Sequence, residues 1–260
     1  MKLEGRKAIV TGGAAGIGRS IALAFADEGA DVVIADVQPE KASVVVDMIR
    51  KKGRAAAAIP CDVGDSAAVE AMVNSAVAAL GGLDILVNNA GIIAPGAFWE
   101  VSDETWDKII RTNLSSVFYG SRAAARRMIA QGRGGVIINL SSIHATLSEP
   151  NAGPYTAAKG GVEAFSRTMA TELAPWRIRV NCLAPGATYS ELTTPMYTDA
   201  VKAALFQRVP MKEIAQPEWI AAGAVFLAAD DSRYMTGQVL TLDGGYTMDG
   251  SLPGAEYWTE

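Results

Sequence analysis

The first strand-to-helix crossing of the chain is rich in glycine, and this feature constrains the fold most. A short β-rich run from Lys7 to Thr11 is followed by four glycines between positions 12 and 18, and then by an alanine-rich helical pattern. Glycine lets the backbone approach a pyrophosphate closely, and the helix N-terminus offers unpaired N–H groups to its phosphates. A glycine loop alone is a weak signal, but its position at this crossing predicts a phosphate-binding turn.

Strand and helix patterns alternate along all 260 residues without a break, which favours one α/β domain over two. Half of the residues are apolar, so the chain can bury a substantial core. The continuous apolar run from Leu83 to Val87 predicts a strand that is buried on both faces. We therefore expect a single doubly wound domain over residues 1–260, with a seven-stranded, mostly parallel sheet and helices on both faces.

The second predicted strand, Asp31 to Asp36, ends in an acid eighteen residues beyond Gly18. Folds of this kind place a carboxylate near that position to accept hydrogen bonds from the adenosine ribose, and the same charge repels a 2′-phosphate. Asp36 could instead be only a turn residue. NAD is favoured over NADP because neither Asp36 nor Ala15 is a cation, although the nearby Arg19 leaves NADP open.

Three residues capable of acid–base chemistry lie close together in the sequence: Ser142, Tyr155 and Lys159. Pro154 suits the first turn of a helix, so Tyr155 and Lys159 share a helix face. A free tyrosine titrates at about 10, and an adjacent ammonium, together with a nicotinamide that is positive when oxidised, would lower this pKa towards the range that proton transfer needs. Ser142 follows the apolar run VIINLS, which predicts its hydroxyl at the carboxyl end of a buried strand, where ligands bind in such sheets. Each residue alone is more typical of structure, but their joint spacing favours chemistry.

Together with T-G-x-x-x-G-x-G at 11–18 and N-N-A-G at 88–91, these three residues resemble the pattern of the short-chain dehydrogenase/reductase family. The resemblance covers nearly the whole chain. It implies a Rossmann-type fold and reversible hydride transfer between NAD and a carbinol or carbonyl carbon.

The resemblance also implies a role for each catalytic residue. Tyr155 would be the proton acceptor, Ser142 would hydrogen-bond the substrate oxygen, and Lys159 would hold the nicotinamide ribose. Asn113, which falls inside a helical pattern where asparagine is a poor choice, would be the fourth catalytic residue. It would hold a water that links Lys159 to solvent.

A further set of residues is implied to bind the cofactor. Asp62 and Val63 would border the adenine ring, and Thr188 would present its backbone N–H to the nicotinamide carboxamide. Ser190 stands where the family usually has threonine. The full set is Gly12, Gly16, Ile17, Gly18, Asp36, Asp62, Val63, Asn89, Ala90, Gly91, Tyr155, Lys159, Pro185, Gly186 and Thr188.

The substrate is expected to contact the more variable segments, including an irregular stretch at 187–215 that we expect to form a mobile lid. The candidate substrate residues are Ser142, His144, Glu149, Tyr155 and Tyr189, with Asn151 beside them. A site built to pair with hydroxyl groups would suit a sugar or polyol, as in a glucose 1-dehydrogenase. Glu149 and Asn151 could equally be solvated loop residues, and His144 a wall residue.

Two alternative functions stay open at this point. One is a reductase of 3-oxoacyl thioesters or other carbonyls, although such relatives commonly carry a basic residue where this chain has Ala15. The other is a dinucleotide-binding sensor without turnover. A sensor would be expected to have lost Ser142, Tyr155 or Lys159, and this chain has all three.

Composition excludes several other classes. A net charge of −5 argues against nucleic acid and anionic membranes as partners, and no apolar run approaches the ~18 residues of a membrane span. We expect no metal site, two buried reduced cysteines and, since no leader precedes the first strand, a cytoplasmic location.

The resemblance implies a homo-oligomer, which we expect to be a tetramer joined through helices around 103–130 and 154–174. We also expect a core at 5–186 and an ordered C-terminal tail at 246–260.

Overall fold

The structure, a computed structural model, describes residues 1–249. Seven strands form one sheet in the order β3-β2-β1-β4-β5-β6-β7, and the neighbouring strands pair in parallel throughout. The strands are β1 (Lys7–Thr11), β2 (Asp31–Asp36), β3 (Ala56–Pro60), β4 (Ile85–Asn88), β5 (Gly135–Leu140), β6 (Ile178–Pro185) and β7 (Val239–Leu242). The expected doubly wound sheet is confirmed.

Eight α-helices in the described residues connect and follow the strands. They are α1 (Gly16–Asp27), α2 (Pro39–Lys51), α3 (Ser66–Leu80), α4 (Asp103–Ile110), α5 (Ser116–Gln131), α6 (Gly153–Leu173), α7 (Asp199–Arg208) and α8 (Pro217–Ala228). A π-helical turn, Arg111–Ser115, joins α4 to α5. Helix α7 lies in the stretch that we expected to be irregular, and the Thr198 hydroxyl caps its N-terminus.

The sheet separates two hydrophobic cores. Helices α1, α2 and α8 pack with Ala8 and Val10 of β1 on one face, whereas α3, α5 and α6 pack with Ile9 on the other. Because both faces are covered, the central strands are continuous apolar runs. The strand order reverses direction between β1 and β4, and this switch point opens a crevice at the carboxyl ends of the strands.

A buried polar network lies at the carboxyl ends of β4 and β5. The Asn88 amide donates to Asn139 Oδ1 at 2.8 Å and to Ser121 Oγ at 3.1 Å, and Asn139 Nδ2 donates to Ser166 Oγ at 2.8 Å. Buried polar groups are costly when unpaired, so these bonds fix the two strand ends relative to α5 and α6. Cys182 also contacts this network, at 3.2 Å from Ser166 Oγ, and both cysteines are buried and free.

The expected tail at 246–260 lies mainly outside the described residues, and so do Tyr257 and Trp258. Of that segment, Tyr246 is described, and its hydroxyl accepts a hydrogen bond from Arg208 at 3.3 Å.

Candidate active site

A cavity of about 1260 Å³ lies at the carboxyl ends of strands β1 to β6. Its walls are the glycine loop, the strand ends, the start of α6 and the 187–215 segment. All the predicted site residues except Asn113 and Tyr189 line this cavity. They are Gly12, Gly16, Ile17, Gly18, Asp36, Asp62, Val63, Asn89, Ala90, Gly91, Ser142, His144, Glu149, Tyr155, Lys159, Pro185, Gly186 and Thr188.

The glycine loop is packed so closely that a side chain would not fit. Gly12 has φ +62°, and a Cβ on it would lie 2.8 Å from Ala90 Cα. A Cβ on Gly18 would lie 2.2 Å from the Gly12 carbonyl oxygen. The Asn89 amide clamps the loop by donating to Thr11 O at 2.9 Å and to Gly12 O at 3.1 Å.

Helix α1 begins at this loop without a side-chain cap, since Ala15 is its N-cap residue. The first-turn N–H groups of a helix have no intrahelical partners, and they attract anions. The loop and the uncapped helix start therefore fit a pyrophosphate.

Asp36 is a fixed, buried carboxylate at the end of β2. One oxygen accepts from the Ala14 N–H and the other from the Gln38 N–H, both at 3.0 Å. A carboxylate has about four acceptor positions, so Asp36 can also accept ribose hydroxyls. Arg19, the basic residue that left NADP open, is exposed and does not line the cavity.

Lys159 is buried under the end of β5. Its Nζ donates to the Leu140 carbonyl oxygen at 2.6 Å and lies 5.6 Å from the centre of the Tyr155 ring. Helix α6 begins with Pro154 in its first turn, as predicted, and it carries both residues. Burial lowers the pKa of Lys159 to about 8, because the ammonium is removed from water.

Burial of Tyr155 opposes the expected lowering of its pKa. Burial of the phenol raises this pKa above its usual value, and the Ser142 hydroxyl opposes the shift only in part. With a pKa of about 8, Lys159 keeps its positive charge beside Tyr155 below that pH.

Ser142 lies two residues after the end of β5, in extended backbone, and is buried. Its Oγ accepts from the His144 N–H at 3.1 Å, which begins a short 3₁₀ turn, Ile143–Ala145. This bond fixes the hydroxyl oxygen at the cavity wall, and the hydroxyl also pairs with the Tyr155 phenol.

Asn113 lies in the π-helical turn rather than in a regular helix, and it is buried. Its side chain makes two hydrogen bonds to the backbone of Ile92. Oδ1 accepts from the Ile92 N–H and Nδ2 donates to the Ile92 carbonyl, both at 2.8 Å. A water held by Asn113 would bind its backbone carbonyl or the one position that each side-chain amide atom has left.

The candidate substrate residues separate into two groups. His144 and Glu149 form a pair, with 3.5 Å between Nε2 and Oε2, and the buried His144 Nδ1 has no hydrogen-bond partner among the described residues. The prediction that Tyr189 contacts the substrate is wrong. Its ring does not line the cavity but packs edge-on against Tyr197, with 5.5 Å between the ring centres. Asn151 is likewise an exposed loop residue, with φ +64°.

Several cavity residues were missed by the sequence reasoning. Two are tyrosines, Tyr197 and Tyr246, and the others are apolar side chains of the 187–215 segment: Leu192, Met196, Val201, Leu205 and Val209. The four-residue spacing of Val201 and Leu205 on α7 is a helical signal that could have indicated a shared face.

Among residues 1–249, no group of three or more His, Cys, Asp or Glu side chains is arranged to hold a metal ion. Nor does that part of the chain contain a helix of the length and apolarity needed to cross a membrane.

Comparison with known proteins identifies the family. The family model described as enoyl-(acyl carrier protein) reductase matches residues 12–247. A 2,5-dichloro-2,5-cyclohexadiene-1,4-diol dehydrogenase from Sphingobium indicum is 40% identical over 247 residues, which cover 95% of this chain and 98% of the relative. The chain belongs to the short-chain dehydrogenase/reductase family. It is therefore an oxidoreductase of the type that acts on CH–OH groups.

Solved structures of dehydrogenases have the same fold as this chain. A gluconate 5-dehydrogenase from Burkholderia cenocepacia, in complex with NADP and tartrate, superposes with a TM-score of 0.91 at 37% identity, covering 95% of this chain and 97% of that one. A 7α-hydroxysteroid dehydrogenase in complex with NADH and 7-oxo glycochenodeoxycholic acid gives 0.91 at 35% identity, with 96% and 97% covered. Dehydrogenases with this fold thus bind either dinucleotide and very different substrates.

The lowered pKa of Lys159 predicts a specific pH dependence of stability. Between pH 8 and about 10.5 the unfolded chain binds a proton that the folded chain does not, so Lys159 becomes less destabilising as the pH rises. The free energy of unfolding of Lys159→Met, minus that of the wild type, should therefore be higher at pH 7 than at pH 9.5, by about 2 kcal/mol. Urea unfolding of both proteins at the two pH values measures this difference. An unchanged difference would show that the ammonium is not buried.

Proposed function

We propose that this protein is an NAD-dependent dehydrogenase that transfers a hydride between nicotinamide and a secondary alcohol or hemiacetal carbon of a sugar or polyol. One observation carries the proposal: Ser142, Tyr155 and Lys159 line the same cavity as the glycine loop and Asp36. The chain thus combines proton-transfer groups with a fitting dinucleotide cradle in one space.

The residues present fit NAD along its length. The glycine loop and the start of α1 would hold the pyrophosphate, Asp36 the adenosine ribose, and Asp62 and Val63 the adenine. Lys159 would hold the nicotinamide ribose, and Thr188 the carboxamide. Bound NAD supplies the hydride acceptor, nicotinamide C4.

In alcohol oxidation, Tyr155 removes the hydroxyl proton while Ser142 Oγ donates a hydrogen bond to the substrate oxygen. Because burial raises the pKa of Tyr155, its phenolate needs a positive charge nearby, and the oxidised nicotinamide carries one. The proton then leaves through Lys159 and a water on the backbone of Asn113. In carbonyl reduction the same phenol donates its proton.

The polar side of the cavity supports a polyhydroxylated substrate. His144 and Glu149 lie on the wall that follows Ser142, and His144 Nδ1 lacks a partner among the described residues. Both side chains can pair with substrate hydroxyls, and a site with such groups rejects analogues that leave them unpaired. The 187–215 segment would cover the bound substrate as a lid.

A second candidate function is reduction of an apolar carbonyl compound, such as a 3-oxoacyl thioester. Leu192, Met196 and Leu205 favour it, because they give the 187–215 wall an apolar character. The 7α-hydroxysteroid dehydrogenase is complexed with an oxo compound, 7-oxo glycochenodeoxycholic acid.

The proposal includes a homotetramer and a cytoplasmic location, which stay predictions. Exposed aromatic side chains on the helices expected at the interface, Trp106 and Phe118, support assembly.

Replacement of Tyr155 by Phe tests the proposed chemistry. The variant keeps the ring and the cavity but lacks the proton-transfer group, so turnover should fall by at least about 10²-fold. NADH binding, measured by fluorescence titration, should change little. A variant that retains turnover would contradict the role of Tyr155, and a wild type that binds NADH without any turnover would indicate a sensor.

Replacement of Asp36 by Asn tests the choice of cofactor. Loss of the charge removes repulsion of a 2′-phosphate, so the ratio of kcat/KM with NAD to that with NADP should fall at least about tenfold. Asp62→Asn is the matched control, because Asp62 also lines the cavity and accepts a backbone N–H, from Gly64 at 2.8 Å. A wild type that prefers NADP would overturn the proposed cofactor.

A substrate panel distinguishes the two candidate functions. NADH formation with aldoses and alditols, and NADH consumption with 3-oxoacyl thioesters and oxosteroids, are compared in the wild type and Glu149→Gln. The sugar proposal predicts the highest kcat/KM for a polyhydroxylated substrate, with a raised KM in the variant. Activity confined to apolar carbonyls, unaffected by the variant, would favour the reductase.

A further inference from the structure

One phenol satisfies both backbone groups of Thr188 at the cavity wall. Tyr197 Oη accepts a hydrogen bond from the Thr188 N–H at 3.1 Å and lies 3.3 Å from the Thr188 carbonyl oxygen, to which it donates. Thr188 itself is buried, so its N–H would be costly to leave unpaired. A single group that accepts from the N–H of one residue and donates to the carbonyl of the same residue imitates a primary carboxamide, whose oxygen accepts and whose NH₂ donates.

Tyr197 lies in a short segment whose neighbouring side chains are exposed. It follows a short 3₁₀ turn, Thr194–Met196, and its neighbours Met196 and Thr198 are exposed. Its ring rests edge-on against Tyr189, with 5.5 Å between the ring centres. A tyrosine with exposed neighbours on both sides can swing away at a modest cost.

The backbone of Thr188 is held independently of Tyr197. The Thr193 hydroxyl donates to the Thr188 carbonyl at 2.5 Å, and Ser190 Oγ lies 2.8 Å from the Thr193 hydroxyl. Thr188 also pairs with Ala215 in an isolated parallel bridge. Departure of the phenol would therefore leave the Thr188 N–H in place and available to a ligand.

We infer that Tyr197 is a built-in stand-in for the nicotinamide carboxamide, and that its phenol must leave Thr188 before the nicotinamide end of the dinucleotide can bind there. This inference rests on the proposed function, since it takes the Thr188 N–H as the carboxamide site. Tyr197 is thus a positioning residue that acts on cofactor affinity through Thr188. The phenol lowers the affinity for dinucleotides that carry the carboxamide and leaves the adenosine end untouched.

Tyr197→Phe tests this inference with two probes, NADH and ADP-ribose. ADP-ribose has the same adenosine, pyrophosphate and ribose but no nicotinamide. Removal of the competing hydroxyl should tighten NADH binding by about two- to tenfold, the range of one net hydrogen bond, and leave ADP-ribose binding unchanged. Isothermal titration calorimetry measures both constants in the intact protein.

Two further variants complete the design. Tyr189→Phe, the matched control, should leave both constants unchanged, because no hydrogen bond of its hydroxyl to Thr188 is present. Tyr197→Leu should reproduce the selective gain for NADH, and thermal melting establishes that each variant is folded.

The outcomes separate this inference from the proposed function. NADH affinity that is unchanged or weaker in Tyr197→Phe overturns the stand-in role, as does an equal gain for NADH and ADP-ribose, which would indicate a general opening of the segment. Either result leaves the dinucleotide site intact. A wild type that binds neither probe overturns both proposals.

Discussion

The buried hydrogen bond from Lys159 to the Leu140 carbonyl fixes helix α6 on the end of strand β5. Tyr155 lies one helical turn before Lys159, and Ser142 lies two residues after Leu140. The three reactive side chains therefore take their relative positions from the packing of this helix on this strand, which the bonds Asn139–Ser166 and Ser141–Glu163 also hold. The Lys159 contact is costly, because it removes an ammonium from water and lowers its pKa to about 8. The same burial raises the pKa of Tyr155, so the site's geometry and its electrostatics have a common origin.

Because burial raises the pKa of Tyr155, the proposed action of Tyr155 as a base depends on the bound cofactor. Burial favours the neutral phenol and lowers the pKa of Lys159 to about 8. On the proposed function, the positive charge of the oxidised nicotinamide beside Tyr155 favours removal of the alcohol proton. The Tyr197 phenol occupies the Thr188 N–H, so the nicotinamide end of the cavity already satisfies its own backbone groups. On the proposed function, affinity and reactivity are both set at that end, whereas the glycine loop and Asp36 would hold the adenosine end.

Much of the fold and the site could be predicted because their signals are local. Buried parallel strands are continuous apolar runs, and the spacing of Tyr155 and Lys159 places them on one helix face. The direction of the Tyr155 pKa shift could not be predicted, because it depends on how deeply α6 packs against β5. The π-helical turn at Asn113 leaves no periodic mark in the sequence. Tyr197 and Tyr189 are equivalent choices by composition, and only the path of the 187–215 segment decides which ring reaches the cavity.

The titration of Tyr155, followed by tyrosinate absorbance as the difference between the wild type and Tyr155→Phe, tests this account most directly. In the protein alone, we expect a pKa above the ordinary value of about 10, since burial opposes the phenolate. With saturating NAD, the pKa should fall below that value. A pKa that is already low in the protein alone would contradict the electrostatic account. A pKa that NAD does not change would show that the nicotinamide does not lie beside Tyr155.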